Sequence, residues 1–132
     1  MSAVIRFTTS VFDVTQERPN PINPIVGESL LAWLRQALAP GHVIDEPQPE
    51  DWGWYAHIEW DDGRRFMLGA SASDADDGEP REWVLQIVPQ RSFKERLLGR
   101  GKMTPDHPLA RLLVGVLSEE AAFAGVTVES VA

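Results

Sequence analysis

The strongest constraint on the fold is an alternating run followed by a turn signal and a second candidate strand. Residues 53–60 place Trp54, Ala56, Ile58 and Trp60 on one face, a period typical of a β-strand with one buried face, and residues 64–72 return as its partner strand. Between them stands Asp61-Asp62-Gly63, a sequence that favours a tight hairpin turn. A hairpin with one apolar face must cover that face, so the sequence predicts an antiparallel sheet with helices packed on it.

The register of this hairpin can also be argued from the side chains. A two-residue turn would place Glu59 beside Phe66 and so mix the two faces. A three-residue turn with Gly63 in the left-handed conformation instead sets Ile58 against Phe66 and Glu59 against Arg65. We expect the second register because it keeps one face apolar and pairs opposite charges on the other.

Further strands and loops follow from similar patterns. The β-branched and aromatic content of 3–8, 82–88 and 126–131 predicts three more strands, and 43–45 fits a short one. Proline, asparagine and acidic residues predict loops at 13–24, 47–49 and 74–80.

Three helices are predicted, each from a start signal and an apolar spacing. Residues 25–39 have helical spacing, with Asn23 as N-cap and Pro24 at the first helical position. A capping box at Ser92 predicts a short helix ending at Gly99. Asp106 is expected to cap a last helix that ends at Gly125. Its core stripe would comprise Leu109, Leu112, Leu113, Val116, Leu117 and Ala121.

These elements predict the order β-α-β-β-β-α-α-β. That order belongs to the α+β class, with a mainly antiparallel sheet and helices packed on it. A length of 132 residues with 43% apolar and 24% charged residues is typical of one globular domain rather than a disordered chain. We therefore expect a single α+β domain over 1–132.

Charge and residue usage exclude several classes of function. The net charge of −8 disfavours nucleic acid and anionic membranes as partners, since both need a cationic face. There are no cysteines, which excludes disulfides, thiolate metal sites and cysteine nucleophiles. The N-terminus has no basic segment followed by a long apolar run, so we expect a cytoplasmic protein without a signal peptide.

The acidic residues are concentrated in one segment. Residues 45–82 contain twelve Asp or Glu against three Arg, a local balance of −9, whereas the other 94 residues sum to +1. Such a block either keeps a small domain soluble or forms a surface for a cationic partner. The candidate partner-binding residues are Asp45, Glu46, Glu50, Asp51, Trp52, Asp74, Asp76, Asp77 and Glu79.

Trp52 belongs to this set because of its position. It stands at a strand entrance among acids, whereas Trp54 and Trp60 alternate with Ala56 and Ile58 as core residues do. We therefore expect Trp52 to be an exposed aromatic anchor and the other tryptophans to pack in the core.

Templates for cofactor and catalytic sites fail at named positions. Aligning Gly78 with the glycine of a calcium loop leaves Val84 where a glutamate ligand is needed. The basic stretch 91–102 is not a phosphate-binding loop, because Met103 replaces the required Ser or Thr. His42, His57 and His107 lack metal-ligand spacing, so we expect no metal, no cofactor and no enzyme of a recognisable class. An enzyme would need a pocket that holds His57 or His107 beside carboxylates with perturbed pKa values.

Some sequence runs carry a resemblance. Glu50-Asp51-Trp52-Gly53-Trp54, the hairpin after it, Arg91-Ser92-Phe93 and Leu97-Leu98-Gly99-Arg100 resemble a group of small uncharacterised bacterial proteins over about residues 50–100. In size, acidity and α+β make-up the chain also resembles the immunity proteins that neutralise bacterial toxins. These families lack a shared catalytic motif, so the resemblance implies a binding role and assigns no functional residue.

Two functions remain open from the sequence. The first is a cytoplasmic protein-binding domain of immunity or antitoxin type, with a basic toxin or effector as partner. The second is a small acidic secretion chaperone, which the chain also resembles in size and acidity. The chaperone interpretation predicts a homodimer with an exposed apolar groove involving helix 25–39.

Overall fold

The computed structural model describes residues 2–60, 63–76, 78–90 and 103–131. Its centre is a six-stranded antiparallel sheet with strand order β2-β3-β4-β5-β1-β6. The strands are β1 (Ser2–Thr9), β2 (Gln48–Glu50), β3 (Gly53–Glu59), β4 (Arg65–Ala72), β5 (Arg81–Pro89) and β6 (Ala124–Val131). The helices are a 3-10 turn (Val14–Gln16), α1 (Glu28–Leu38) and α2 (Pro108–Glu119).

The α+β class is confirmed, and so is the register of the central hairpin. Ile58 pairs with Phe66 and Glu59 with Arg65, as the three-residue turn requires. Gly63 has a φ of 78°, the left-handed conformation that a side chain other than glycine rarely adopts.

The core lies on one face of the sheet, under α1 and α2. Alternate residues of β1, β3, β4 and β5 are buried there, together with the inner stripes of α1 and α2. The fully or nearly fully buried large side chains include Ile5, Phe7, Leu31, Leu34, Trp54, Ile58, Phe66, Leu68, Trp83, Leu85, Leu109 and Leu113. Burial of this apolar area is the main stabilising term, at about 25 cal/mol per Å².

The element order differs from the prediction. It runs β-η-α-β-β-β-β-α-β, with an additional strand, β2, at residues predicted to be a proline loop. Proline cannot donate to a ladder but is tolerated in an edge strand, and β2 lies at the sheet edge with Pro49 opposite Trp54. The predicted strand 43–45 is reduced to one bridge between Ile44 and Ile58. The predicted helix from Ser92 to Gly99 lies outside the described residues.

The start of α1 was predicted wrongly. The helix begins at Glu28, not at 25, and its N-cap is Gly27 rather than Asn23. Residues 25–27 stay outside the helix, where Ala72 of β4 donates its backbone N–H to the carbonyl of Val26 at 3.2 Å. A contact with a distant strand therefore overrides the local cap signal.

The ends of α2 were also predicted wrongly. Pro108 occupies the first helical position, so the cap falls on His107, whose Nδ1 accepts from the Leu109 N–H at 3.1 Å, and not on Asp106. At the other end the helix stops at Glu119.

The predicted stripe residue Ala121 is exposed beyond the helix. The nearby core position is filled by Phe123, whose ring centroid lies 4.8 Å from that of Phe7. Gly125, with a φ of 66°, does not end a helix. It lies within β6, where the ladder with β1 is irregular, as expected for a glycine bulge.

Candidate partner-binding surface

Five of the predicted partner-binding acids lie at one end of the sheet. Glu50 and Asp51 lie at the turn that enters β3, and Asp74, Asp76 and Glu79 lie in the loop that leaves β4. Because β3 and β4 are neighbouring antiparallel strands, about 5 Å apart, this turn and this loop emerge side by side. We call these five residues the acidic end.

The turn of the acidic end is held by side chains from the loop before α1. Asn20 donates from Nδ2 to the carbonyls of Glu50 at 3.0 Å and Gly53 at 2.9 Å. Asn23 donates from Nδ2 to the carbonyl of Asp51 at 2.8 Å. The backbone that carries Glu50 and Asp51 is thus braced, so little conformational entropy remains to be lost on binding.

The loop of the acidic end is braced from within. Arg81 donates to the carbonyls of Ser73 at 2.9 Å and Ala75 at 3.3 Å, so its guanidinium holds backbone rather than a carboxylate. In the described ranges Asp74, Asp76 and Glu79 make no salt bridge. The loop therefore presents three carboxylates that no described cation neutralises.

Asp45 and Glu46 lie elsewhere and already have counter-charges. Asp45 Oδ2 is 3.4 Å from Nδ1 of His57 and 3.6 Å from Nη2 of Arg65. Glu46 Oε1 is 3.3 Å from Nη1 of Arg18. Both groups are close to a cation of their own chain, unlike the acidic end. Asp77, also in the predicted set, lies outside the described residues.

Sequence reasoning missed Asp13, which the fold brings to the same end of the sheet. A cleft of about 270 Å³ there is lined by Asp13, Asp76, Glu79 and Arg81, among others. The Asp13 carboxylate accepts from the hydroxyl of Thr15 and from its backbone N–H at 3.1 Å, and these hydrogen bonds lower the pKa of Asp13 below its ordinary value. The local signal was Asp13-x-Thr15, a capping pattern, but only the fold brings it near the β4–β5 loop.

Trp52 is placed differently from the expected exposed anchor. Its side chain is half-buried and lies over Gly69 of β4, on the sheet face opposite the helices. A Cβ added at Gly69 would stand 2.6 Å from Cη2 of the indole, so the ring fits only because that position is glycine. Part of the indole is thus used within the chain, and the rest is accessible beside the acidic end.

The other tryptophans are distributed between core and rim. Trp54 and Trp83 are buried, and neither indole N–H has a hydrogen-bond partner among the described atoms. Trp60 is half-buried and stacks on His42, with ring centroids 4.9 Å apart. Trp33 is half-buried against Phe123 at 5.0 Å. The core interpretation therefore holds for Trp54 and Trp83.

His57 does lie beside a carboxylate in a cleft. Val43, Asp45, Glu59 and Arg65 complete this opening of about 300 Å³. Asp45 also accepts the backbone N–H of His57 at 2.6 Å, so the pair is oriented by two contacts. None of the five lining residues carries a hydroxyl or thiol, so the carboxylates of Asp45 and Glu59 are the nucleophilic groups that this lining places near the imidazole.

Comparison with known proteins assigns no function to this surface. No family model, no curated protein and no solved structure matches the chain. Over the described ranges, no group of three His, Asp or Glu residues is placed to hold a metal ion. None of the helices found in those ranges has the length and apolar character needed to cross a membrane.

Proposed function

We propose that this chain is a cytoplasmic protein-binding domain of immunity or antitoxin type, which neutralises a basic protein through its acidic end. The observation that carries the proposal is the convergence of Glu50, Asp51, Asp74, Asp76 and Glu79 at one end of the sheet. None of these carboxylates has a described salt-bridge partner, so their field is directed at solvent. A basic partner would supply the missing counter-charges.

Electrostatics and apolar contact have separate roles in this proposal. Like-signed carboxylates on one end attract a cationic surface over roughly a Debye length, about 8 Å at physiological salt, and raise the association rate. The accessible part of Trp52 supplies apolar area that slows dissociation. The acids therefore govern the on-rate, and Trp52 governs the lifetime of the complex.

The test measures association kinetics with a basic toxin encoded in the same gene neighbourhood. Asp74→Asn combined with Asp76→Asn removes two charges from the acidic end, and we expect the association rate to fall by about tenfold at low salt. The matched control is Glu59→Gln with Asp106→Asn, which removes two charges at exposed positions toward the opposite end of the sheet. An association rate unaffected by both the first pair and added salt contradicts the proposal.

Trp52 is tested through the glycine beneath it. Gly69→Ala places a methyl group against Cη2 and Cζ3 of the indole and displaces the ring without removing it. We expect faster dissociation of the complex with little change in association rate, and a red shift of tryptophan fluorescence. Trp52→Ala is the comparison. If neither variant changes the dissociation rate, Trp52 is not part of the interface.

The second candidate function is the homodimeric secretion chaperone. It is favoured by a shallow cleft of about 270 Å³ between the two helices, lined by Trp33, Ala37, Val116 and two glutamates. An extended effector segment with apolar and basic residues would fit that lining. Trp33→Ala should then abolish effector binding, whereas under the immunity proposal it should leave toxin association unchanged.

A further inference from the structure

The two edges of the sheet are protected to very different degrees. Edge strand β2 has three residues, contains Pro49 and follows Pro47, features that prevent a further strand from pairing. Edge strand β6 has eight residues, with no proline, no lysine or arginine, and Glu129 as its one charge. In the described part of the chain β6 pairs with β1 alone. Beyond the bulge at Gly125, an edge of this length offers backbone N–H and C=O groups with which another strand can pair.

Burial along β6 is incomplete on its apolar side. Val128 lies opposite Ile5, which is fully buried, so Val128 faces the core. Yet Val126 and Val128 remain only half-buried, although both pack against the core cluster. Their outer flank is open because no described strand follows β6. A further strand on that side would complete their burial.

We propose that β6 pairs antiparallel with β6 of a second copy, so that one sheet continues through both molecules. The faces of the two sheets match only when the residues that stand opposite each other are identical or differ by an even number of positions. One such register sets Thr127 against Thr127 of the second copy, and Val126 against its Val128. Glu129 then stands opposite Gly125 of the second copy.

The sequence of β6 favours a second copy over a foreign strand. Val126-Thr127-Val128 is its own antiparallel complement, giving two mixed valine pairs on the core side and one threonine pair on the outer side. The register keeps the two Glu129 carboxylates apart, which removes the main repulsion between copies at this edge. A two-fold axis through Thr127 satisfies both conditions, as a closed dimer requires.

The test is a charge exchange at the two-fold axis, followed by sedimentation velocity over a concentration series. Thr127 is exposed on the outer face, so Thr127→Lys and Thr127→Glu should fold, which circular dichroism verifies. We expect the wild type to show a concentration-dependent dimer. Each variant alone should raise the dimer dissociation constant at least about tenfold, because like charges then stand directly opposite.

Mixing the two variants should restore a dimer, since lysine then faces glutamate. The matched control is Thr8→Lys, which adds the same charge at an exposed outer-face position of the inner strand β1. It should dimerise as the wild type does. A wild type that remains monomeric throughout, a dimer insensitive to both Thr127 changes, or a mixture that does not re-form the dimer overturns the proposal. Binding of an extended peptide by monomers would assign the edge to a foreign strand.

Discussion

At the scale of single residues, the carboxylate of Glu17 takes over the role that the sequence suggested for Asn23. It accepts from the N–H of Gly27 at 3.0 Å, and from the N–H and hydroxyl of Ser29 at 2.9 and 2.6 Å. These are donors at the start of α1 that have no partner within the helix. Glu17, ten positions before the N-cap residue Gly27, thus supplies the capping side chain.

Replacing this cap should be costly. Glu17→Ala leaves the Gly27 and Ser29 donors without their acceptor, and we expect the free energy of unfolding to fall by about 1–2 kcal/mol. Glu79→Ala, at an exposed loop position without a described salt bridge, is the control and should change stability by less than about 0.5 kcal/mol. Urea denaturation measures both. Equal effects of the two variants would show that Glu17 is not a cap.

At the scale of elements, the start of α1 is set by close contact with β4. The backbone of Gly27 approaches the carbonyl of Ala70 so closely that an added Cβ would stand 2.2 Å from that oxygen. Ala70 and Ala72 are small residues of β4. Ala70 pairs with the buried Trp54 of β3, and Ala72 pairs with the buried Trp83 of β5. The segment before α1 therefore lies against small residues of β4, and α1 begins only after this contact, at Glu28.

Two glycine-to-alanine substitutions should therefore change the free energy of unfolding in opposite directions. Gly27→Ala forces a methyl group against backbone that cannot move aside cheaply, and we expect a loss of about 1–3 kcal/mol. Gly115 is exposed within α2, and a Cβ added there would meet no atom within 4 Å. Gly115→Ala should therefore raise the free energy of unfolding by about 0.5–1 kcal/mol, because alanine has the higher helix propensity. Thermal and urea unfolding test the pair. A neutral Gly27→Ala would contradict the packing described for α1.

At the scale of the whole molecule, the acidic end and the edge strand β6 are proposed to bind different partners. The net charge of −8 is carried by the segment that forms the acidic end, whereas β6 carries one charge. The acidic end would attract a cationic protein, while two copies of the chain repel each other through their overall charge. Salt screens both forces.

The two proposals therefore predict opposite responses to ionic strength. Raising salt should slow association with a basic toxin and strengthen the dimer through β6. Surface plasmon resonance measures the first and sedimentation velocity the second, each over a salt series. Asp74→Asn with Asp76→Asn should weaken toxin binding without weakening the dimer, and Thr127→Lys should do the reverse. If either variant weakened both toxin binding and dimerisation, the acidic end and the β6 edge would not be separate binding surfaces.

The sequence by itself determined those features that depend on residues close together in the chain and on the alternation of apolar and polar side chains. The register of the β3–β4 hairpin and the left-handed Gly63 were predictable, because alternation and charge pairing leave only one consistent arrangement. The α+β class followed from the same periodicity. The concentration of acid between 45 and 82 was likewise visible as composition.

Only the tertiary structure decided the features that depend on contacts between distant segments. It paired the proline-containing β2 with the sheet edge, moved the cap of α1 to Glu17, and laid Trp52 over Gly69. It also divided the acidic block, giving Asp45 and Glu46 charged neighbours while placing Asp76 and Glu79 in a cleft with Asp13. Local patterns encode periods and turns, but they carry no information on which side chain a distant strand or loop will meet.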